Sequence, residues 1–153
     1  MVAVNDITAN MPKRSRFGAI ENVNANHIDW REVEGSPGNY LKVLTIDEAN
    51  PRVDFLFRQD PHAEFATHTH LCTAVAYTIA GKWGYREGPE LHVPGCFSYE
   101  PAGSTHTPYA TAEGMTVYAS FVGEDEKMLD ILDDDSNHVA YITLDFFKQY
   151  YDA

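Results

Sequence analysis

The sequence predicts an all-β fold, a barrel or sandwich built from many short strands. Segments rich in aromatic and β-branched residues recur from Ile28 onward. Clusters of Gly, Pro, Asn and Asp separate these segments, as in GSPGN, EANP and DPHAE. Only the C-terminal stretch LDFFKQYYD has apolar residues at helical spacing. Short strands at this spacing are typical of an all-β sandwich or barrel.

Length and composition limit the classes of function. The 153 residues, 44% of them hydrophobic, suit one soluble domain with a substantial core. The net charge of -12 argues against a nucleic-acid partner, whose phosphates require a basic face. No apolar run approaches the roughly 20 residues of a membrane span. Since the N-terminus lacks the apolar stretch of a signal peptide and two cysteines make no disulfide framework, we expect a cytoplasmic protein.

The chain divides into an arm and a barrel. Residues 1–26 are polar and lack periodicity, so we expect an irregular N-terminal arm. Residues 27–153 then form the barrel, with a C-terminal helix at about 143–152. Thr143 is a plausible N-cap for this helix. Leu144, Phe147 and Tyr151 form one apolar stripe that would pack on the barrel or on a second subunit.

The stretch FATHTHLCTAVAYTIAG carries a pair of histidines one residue apart. On a strand, residues two apart point to the same face, so His68 and His70 project together. Two imidazoles side by side can take adjacent positions around a metal. The pair alone does not decide the matter, because such pairs also occur by chance.

A second stretch, GCFSYEPAGSTHTPYA, supplies a third histidine. Pro101 and Gly103 mark a tight turn between two strands, and His106 opens the strand that follows. A histidine that enters a strand just after such a turn can lie close to the pair at 68 and 70. We therefore predict His68, His70 and His106 as metal ligands.

The two stretches resemble the two motifs of the cupin superfamily. In the first motif, Gly-x5-His-x-His-x3-4-Glu-x6-Gly, both histidines and the closing Gly81 are in register. His62 takes the position of the opening glycine, and Ala74 that of the glutamate. The second motif, Gly-x5-Pro-x-Gly-x2-His-x3-Asn, matches at four positions and has alanine in place of the asparagine. The resemblance implies a single-domain cupin, a double-stranded β-helix or jelly-roll barrel with a short C-terminal helix.

The missing glutamate points to one group of cupins. The pattern of three histidines without the glutamate is similar to that of the β-diketone (acetylacetone) dioxygenases. The runs YTIAGKWGYREG and SYEPAGSTHT look still more like 2,4'-dihydroxyacetophenone dioxygenases. This resemblance implies Fe(II) as cofactor, with O2 and a small enolisable ketone as substrates for C–C cleavage. Cupin barrels commonly pair, so we also expect a homodimer.

Charge gives this resemblance a physical reason. Three neutral imidazoles leave the full +2 charge on a metal, whereas two histidines and a carboxylate leave +1. A more positive ion favours an anionic, bidentate oxygen ligand such as the enolate of a β-diketone. Chelation would also lower the pKa of the ketone, as a metal does for bound water.

Glu87 is a candidate catalytic residue with two interpretations. It shares strand parity with Trp83 and Tyr85, whose aromatic face should be the inner one. Glu87 would then be a fourth ligand, a partner for a histidine N–H, or a base. Alternatively the strand ends at Arg86 and Glu87 lies in a turn.

Aromatic residues suggest the walls of a substrate pocket. We predict Trp83, Tyr85 and Phe57 there, and Phe97 and Tyr99 are further candidates, although aromatic residues also fill ordinary cores. The sequence leaves the role of Glu100 open, because this residue could pair with a cation or face water.

Two alternative functions remain open. Zinc also accepts three imidazoles plus water, so a regulatory zinc-binding cupin is one alternative. A metal-dependent hydrolase or isomerase on the same histidines is the other. Fold alone cannot choose between them, because the cupin fold hosts many activities.

Overall fold

The computed structural model describes residues 12–152 and is dominated by antiparallel strands. The predicted all-β class with one short C-terminal helix is confirmed. The strands are β1 Arg14–Phe17, β2 Ile20–Val23, β3 Arg31–Glu32, β4 Asn39–Asp47, β5 Arg52–Gln59, β6 His68–His70, β7 Thr73–Tyr85, β8 Leu91–His92, β9 Phe97–Glu100, β10 Thr105–His106, β11 Pro108–Val122, β12 Lys127–Leu132 and β13 His138–Thr143; the helices are the 3-10 turn Ala25–His27 and α1 Leu144–Lys148.

Two sheets enclose the core. The larger runs β3-β4-β5-β11-β7-β8, with β9 also paired to β7, and the smaller runs β10-β6-β12-β13. Phe55 and Phe121 from the large sheet pack with Leu129 from the small one and Phe147 from α1. The ring centroids of Phe55 and Phe121 lie 5.0 Å apart, edge to face. The buried faces of both sheets therefore meet in one apolar interior that α1 helps to close.

The long pairing of β7 with β11 depends on one glycine. The register shifts between Ala110 and Met115, where the two strands bulge. Gly81 lies at this point with φ +81°, and a Cβ there would come within 2.1 Å of the Gly114 carbonyl oxygen. Only glycine fits, which explains why this position closes the first histidine motif.

The N-terminal arm differs from the expected irregular segment. Within residues 1–26, β1 and β2 form a hairpin, while residues 1–11 lie outside the described part of the chain. A lone two-stranded hairpin is marginally stable in water. Arg14 stabilises this one, because its guanidinium donates to the carbonyls of Val43 at 2.9 Å and Asp152 at 2.7 Å. The contact with the barrel orders a segment that has no apolar pattern of its own.

Helix α1 is shorter than the predicted 143–152. Thr143 is the N-cap, as expected, and its hydroxyl accepts from the Phe146 amide at 3.4 Å. Leu144 and Phe147 are buried. After Lys148 the chain continues in turns, with the Tyr151 amide bonded to the Lys148 carbonyl. Among residues 12–152, no helix is long and apolar enough to cross a membrane.

Candidate metal centre

Two short strands of the small sheet present the three histidines. His68 and His70 begin and end β6, and their parity directs both rings into the barrel, where they are buried. Strand β10 pairs with β6 so that His106 lies directly opposite His68. The turn at Pro101–Gly103 returns the chain to this position, because the Gly103 amide donates to the His70 carbonyl at 2.7 Å. The structure thus brings together the three residues that the two motifs predicted.

The histidine nitrogens converge at distances suited to a metal ion. One ligand atom from each of the three rings lies within 4.8 Å of the others. The Nε2 atoms of His70 and His106 are 3.1 Å apart. Two nitrogens bound at right angles to one ion at about 2.1 Å would lie about 3 Å from each other. The cluster therefore fits a divalent metal without rearrangement of these two side chains.

A backbone carbonyl sets the tautomer of His68. Its Nδ1–H donates to the Ala66 carbonyl oxygen at 2.8 Å. This bond leaves the lone pair of Nε2 free for a ligand, as is usual for metal-binding histidines. The Phe65 ring packs edge-on against the imidazole, with centroids 5.4 Å apart. The orientation of the ring is therefore fixed before any metal binds.

Burial keeps the cluster neutral. It lowers the pKa of His70 to about 2 and that of His106 to about 4, and it also lowers the pKa of His68. Mutual repulsion of the rings adds to the effect at His70 and His106. At neutral pH all three rings keep a free lone pair, and no proton needs to be displaced when a metal binds.

Threonine pairs hold the two ligand strands in register. The hydroxyls of Thr67 and Thr107 lie 2.6 Å apart, and those of Thr69 and Thr105 lie 2.7 Å apart. These residues alternate with the histidines along both strands, so they occupy the opposite face of the ladder. Cross-strand hydroxyl bonds of this kind stabilise a sheet pair. Here they oppose a slip that would separate His106 from His68.

Glu100 brings a carboxylate to the three histidines. Its Oε2 lies 3.2 Å from His106 Nε2, and its Oε1 lies 3.6 Å from His70 Nε2. The Tyr85 hydroxyl donates to Oε2 at 2.5 Å. Burial raises the pKa of Glu100 to about 7, although the Tyr85 bond acts in the opposite direction. The site therefore contains a carboxylate that exchanges its proton near neutral pH.

Glu100 lies opposite the position at which the first motif lacks its acid. Ala74, at the glutamate position of the motif, pairs directly with Glu100 of β9. Ala74 is fully buried, so a longer side chain there would compete for the space beside the histidines. Since an acid is present, the expected full +2 charge on the metal holds only while Glu100 is protonated. Strand parity groups Glu100 with Ser98 but does not show that this pair points inward.

The structure places Glu87 in a turn, the second of its two interpretations. Strand β7 ends at Tyr85, and Glu87 is exposed. Its Oε2 accepts the Thr107 amide at 3.0 Å. Burial alone would raise the pKa of Glu87, but the hydrogen bonds from Thr107 and from its own amide, together with the nearby His106, lower it. Glu87 thus supports the residue next to His106. It does not belong to the group of ligand atoms formed by the three histidines.

An apolar pocket surrounds the histidines. Phe57 and Trp83, two of the predicted wall residues, line it. Tyr85 is half-buried beside it, with its ring centroid 4.6 Å from that of His106. Further lining residues come from both sheets and from α1: Val33, Leu41, Phe55, Phe65, Met115, Val117, Phe121, Leu129, Ile142, Phe146 and Phe147. The polar side chains among the lining residues are the three histidines and Glu100.

Two of the suggested wall residues lie elsewhere. Phe97 and Tyr99 are 63% and 62% exposed on the outer face of β9. The neighbouring Ser98 and Glu100 take the inward positions of that strand. The aromatic residues of β9 therefore cannot contact a substrate bound at the histidines, and this part of the expectation is wrong.

Three potentially reactive side chains outside the histidine cluster, those of Cys72, Glu64 and His92, are buried or packed against protein groups. Cys72 is buried and burial raises its pKa to about 12, so it is an inert thiol. Glu64 pairs with Arg86 near the end of β7. His92 is only half-buried and stacks on Trp83, with ring centroids 4.5 Å apart, rather than facing solvent freely.

Comparison with known proteins agrees with this fold. An RmlC-like cupin from Ralstonia eutropha JMP134 shares 26% identity, with a TM-score of 0.74 over 84% of this chain and 82% of its own. An acetylacetone dioxygenase from Acinetobacter johnsonii has 16% identity and a TM-score of 0.72, covering 92% and 95%. A Rhodobacter sphaeroides complex of SigE with the anti-sigma ChrR matches at 15% identity and 0.54, covering 64% and 50%.

The two likenesses below 25% identity establish the fold rather than an activity. No match to a curated protein was found by sequence. The ChrR Cupin-like domain model matches residues 20–124, more than half of the chain and both histidine motifs. The chain therefore belongs to the ChrR Cupin-like family of the cupin superfamily.

Proposed function

We propose that the protein is an Fe(II)- and O2-dependent dioxygenase that cleaves a C–C bond in a small enolisable ketone. The observation that carries this proposal is the convergence of three neutral imidazoles and one protonatable carboxylate in an apolar pocket. Among residues 12–152, no other group of three or more His, Cys, Asp or Glu side chains brings its ligand atoms together in this way. The structural likeness to an acetylacetone dioxygenase also supports this function.

His68, His70 and His106 would hold the metal. Their neutral state and the 3.1 Å separation of two Nε2 atoms fit Fe(II) or Zn(II) equally, since both accept imidazole. When bound, Fe(II) supplies Lewis acidity toward the ketone oxygens and the redox chemistry that O2 requires. The remaining functions belong to the side chains around the histidines.

Glu100 is placed to move the substrate proton. An enolisable ketone loses a C–H proton to form its enolate, and the Glu100 carboxylate next to the histidines can accept it. Its position beside the histidines in an apolar pocket gives the carboxylate access to a ketone bound there. The Tyr85 hydroxyl, 2.5 Å from Oε2, orients the carboxylate and stabilises its charged form. We therefore transfer the role considered for Glu87 to Glu100.

The walls of the pocket favour a neutral substrate. Trp83 and Phe57 provide flat apolar surface, and the lining has no Lys or Arg to pair with a carboxylate. An ionised substrate would lose hydration without gaining a counter-ion. In the net reaction one ketone and one O2 give a carboxylic acid and a second carbonyl compound, so no external reductant is needed.

Oxygen uptake tests this function. Protein loaded anaerobically with Fe(II) would be offered β-diketones and hydroxyacetophenones, and O2 consumption would be recorded. We expect uptake tied to one ketone, matched by a carboxylic acid product and lost in His106→Ala. His138→Ala is the matched control, because His138 lies on β13 and pairs with Asp130 away from the cluster. Uptake that persists in His106→Ala would contradict the proposal.

A regulatory or hydrolytic zinc site is the second candidate. The match to the ChrR Cupin-like domain favours it, since the ChrR complex in the comparison is an anti-sigma factor bound to SigE. Zinc would use the same three histidines and a water. Stoichiometric metal binding lost in His106→Ala, with no O2 uptake for any ketone, would select this candidate.

A further inference from the structure

The inner face of the large sheet has two small side chains among larger ones. The strand register pairs Ala119 of β11 with Ala76 of β7, and both residues are buried. We call these two residues the alanine pair. Phe55 of β5 is the other neighbour of Ala119 in this row of cross-strand partners. Phe121 belongs to the adjacent inward-facing row on one side, and Phe57 to the adjacent row on the other side.

The alanine pair faces the three histidines. The ring of His70 packs edge-on against Phe121, with centroids 5.5 Å apart. The ring of His68 packs against Phe65, whose centroid lies 5.9 Å from that of Phe57. The histidine cluster therefore extends from the row of Phe121 to the row of Phe57, and the row between them is that of the alanine pair. The three histidines and both alanines line one cavity, as this arrangement requires.

The cavity between the histidines and the alanine pair is small and has rigid walls. Its volume is about 80 Å³. An apolar cavity of about 150 Å³ holds one benzene molecule, so this cavity accepts smaller groups. The ring of Phe55 lies 5.0 Å from the rings of both Phe121 and Phe147, and the cavity cannot widen there without breaking these contacts. A side chain larger than alanine at either position of the pair would fill much of this space.

We propose that the alanine pair is the specificity-determining element of the site: a flat bidentate oxygen ligand of the metal lies against Ala76 and Ala119, and the aromatic walls exclude substituents as large as a phenyl ring. This inference deepens the proposed function and rests on its metal-binding part. The enolate of a β-diketone is planar, so its carbon skeleton can lie against two methyl groups while its oxygens face the histidines. Ala76 pairs with Ser98, two residues before Glu100, which places the carboxylate beside the same ligand.

Calorimetric titration of the Zn(II)-loaded full chain with acetylacetone tests the alanine pair. Zinc has no redox chemistry, so the result is independent of O2 uptake. Ala119→Val should weaken acetylacetone binding about tenfold or more, because overpacking a filled site is costly. The zinc stoichiometry should stay at the wild-type value, and circular dichroism would verify the fold. The matched control is Ala110→Val, since Ala110 is a buried alanine of the same strand that does not line the cavity, and it should bind acetylacetone like the wild type.

A second variant tests the size limit by enlarging the cavity. Val117 is buried and lines the cavity, so Val117→Ala should raise the affinity for 1-phenyl-1,3-butanedione relative to acetylacetone at least several-fold. Val43→Ala removes the same atoms from a buried residue outside the lining and should leave this ratio unchanged.

Four results would each overturn the inference. They are a wild type that binds no acetylacetone, a wild type that binds both diketones equally, undiminished binding of acetylacetone in Ala119→Val, and an unchanged affinity ratio in Val117→Ala.

Discussion

Two strand segments of the large sheet carry the same aromatic pattern and turn it in opposite directions. At the end of β7, Trp83 and Tyr85 point into the barrel, and Trp83 is only 3% exposed. On β9, Phe97 and Tyr99 point outward. In both segments a glutamate follows, but Glu87 lies in an exposed turn, whereas Glu100 reaches the histidines.

The difference shows what alternation can and cannot determine. Period-two spacing places two aromatic residues on one face of a strand but does not identify the face. Trp83 can point inward because its Nε1–H donates to Thr78 Oγ1 at 2.9 Å, which satisfies the indole in the interior. On β9 the inward positions are taken by Ser98 and Glu100. Glu100, one of these two residues, accepts from the Tyr85 hydroxyl and contacts the histidines, so polar contacts accompany the inward face of this strand.

The largest effect should come from removing the inward aromatic residue. Trp83→Ala should lower the free energy of unfolding by about 3–5 kcal/mol, because it leaves a cavity and an unpaired Thr78 hydroxyl. Phe97→Ala, measured by urea denaturation at dilute protein concentration, should cost less than about 1 kcal/mol. Equal losses in the two variants would show that the faces have been assigned wrongly.

Removal of a single hydroxyl should have a smaller effect on stability, and this effect should differ between Tyr85 and Tyr99. Tyr85→Phe removes the donor to the buried Glu100 and should lower the free energy of unfolding of the metal-free protein by about 1.5–3 kcal/mol. Tyr99→Phe removes an exposed hydroxyl and should change it by less than about 0.5 kcal/mol. Chemical denaturation at slightly alkaline pH, where the Glu100 carboxylate is charged, makes the comparison. A larger loss in Tyr99→Phe would contradict it.

Asp54 is a carboxylate on the outer face of the large sheet. The effect of pH on its contribution to stability should be the smallest of the three effects. Burial alone would raise the pKa of Asp54, but hydrogen bonds from Arg52, Tyr118, Ser120 and Thr45 outweigh it and hold the pKa below its ordinary value. The resulting stabilisation is therefore fully present above the unfolded pKa of about 3.9 and is lost as pH falls through the folded pKa.

Asp54→Asn should consequently destabilise the protein at pH 7 by about 1 kcal/mol. The difference in free energy of unfolding between Asp54→Asn and the wild type should disappear in strongly acidic buffer, because Asp54 is then protonated. Thermal unfolding across an acid series measures it. A gap that widens toward low pH would mean that Asp54 is not stabilised as an anion.

Much of the fold and the metal ligands could be predicted from sequence because they depend on local patterns. His68 and His70 share parity within one strand, and Pro101 and Gly103 mark the turn that returns His106. Glu100 could not be assigned in the same way, since its direction depends on the pairing of β9 with Ala74 of β7. The hairpin at 14–23 was also missed, because Arg14 contacts carbonyls from distant segments.

The most direct test of the proposed chemistry is the source of the product oxygen. Fe(II)-loaded protein would convert its ketone under heavy-isotope-labelled O2 in ordinary water, and mass spectrometry would locate the label. A dioxygenase working at His68, His70 and His106 places one labelled atom in the carboxylic acid product. An unlabelled acid, with its new oxygen taken from water, would show that the site is hydrolytic and would contradict the account.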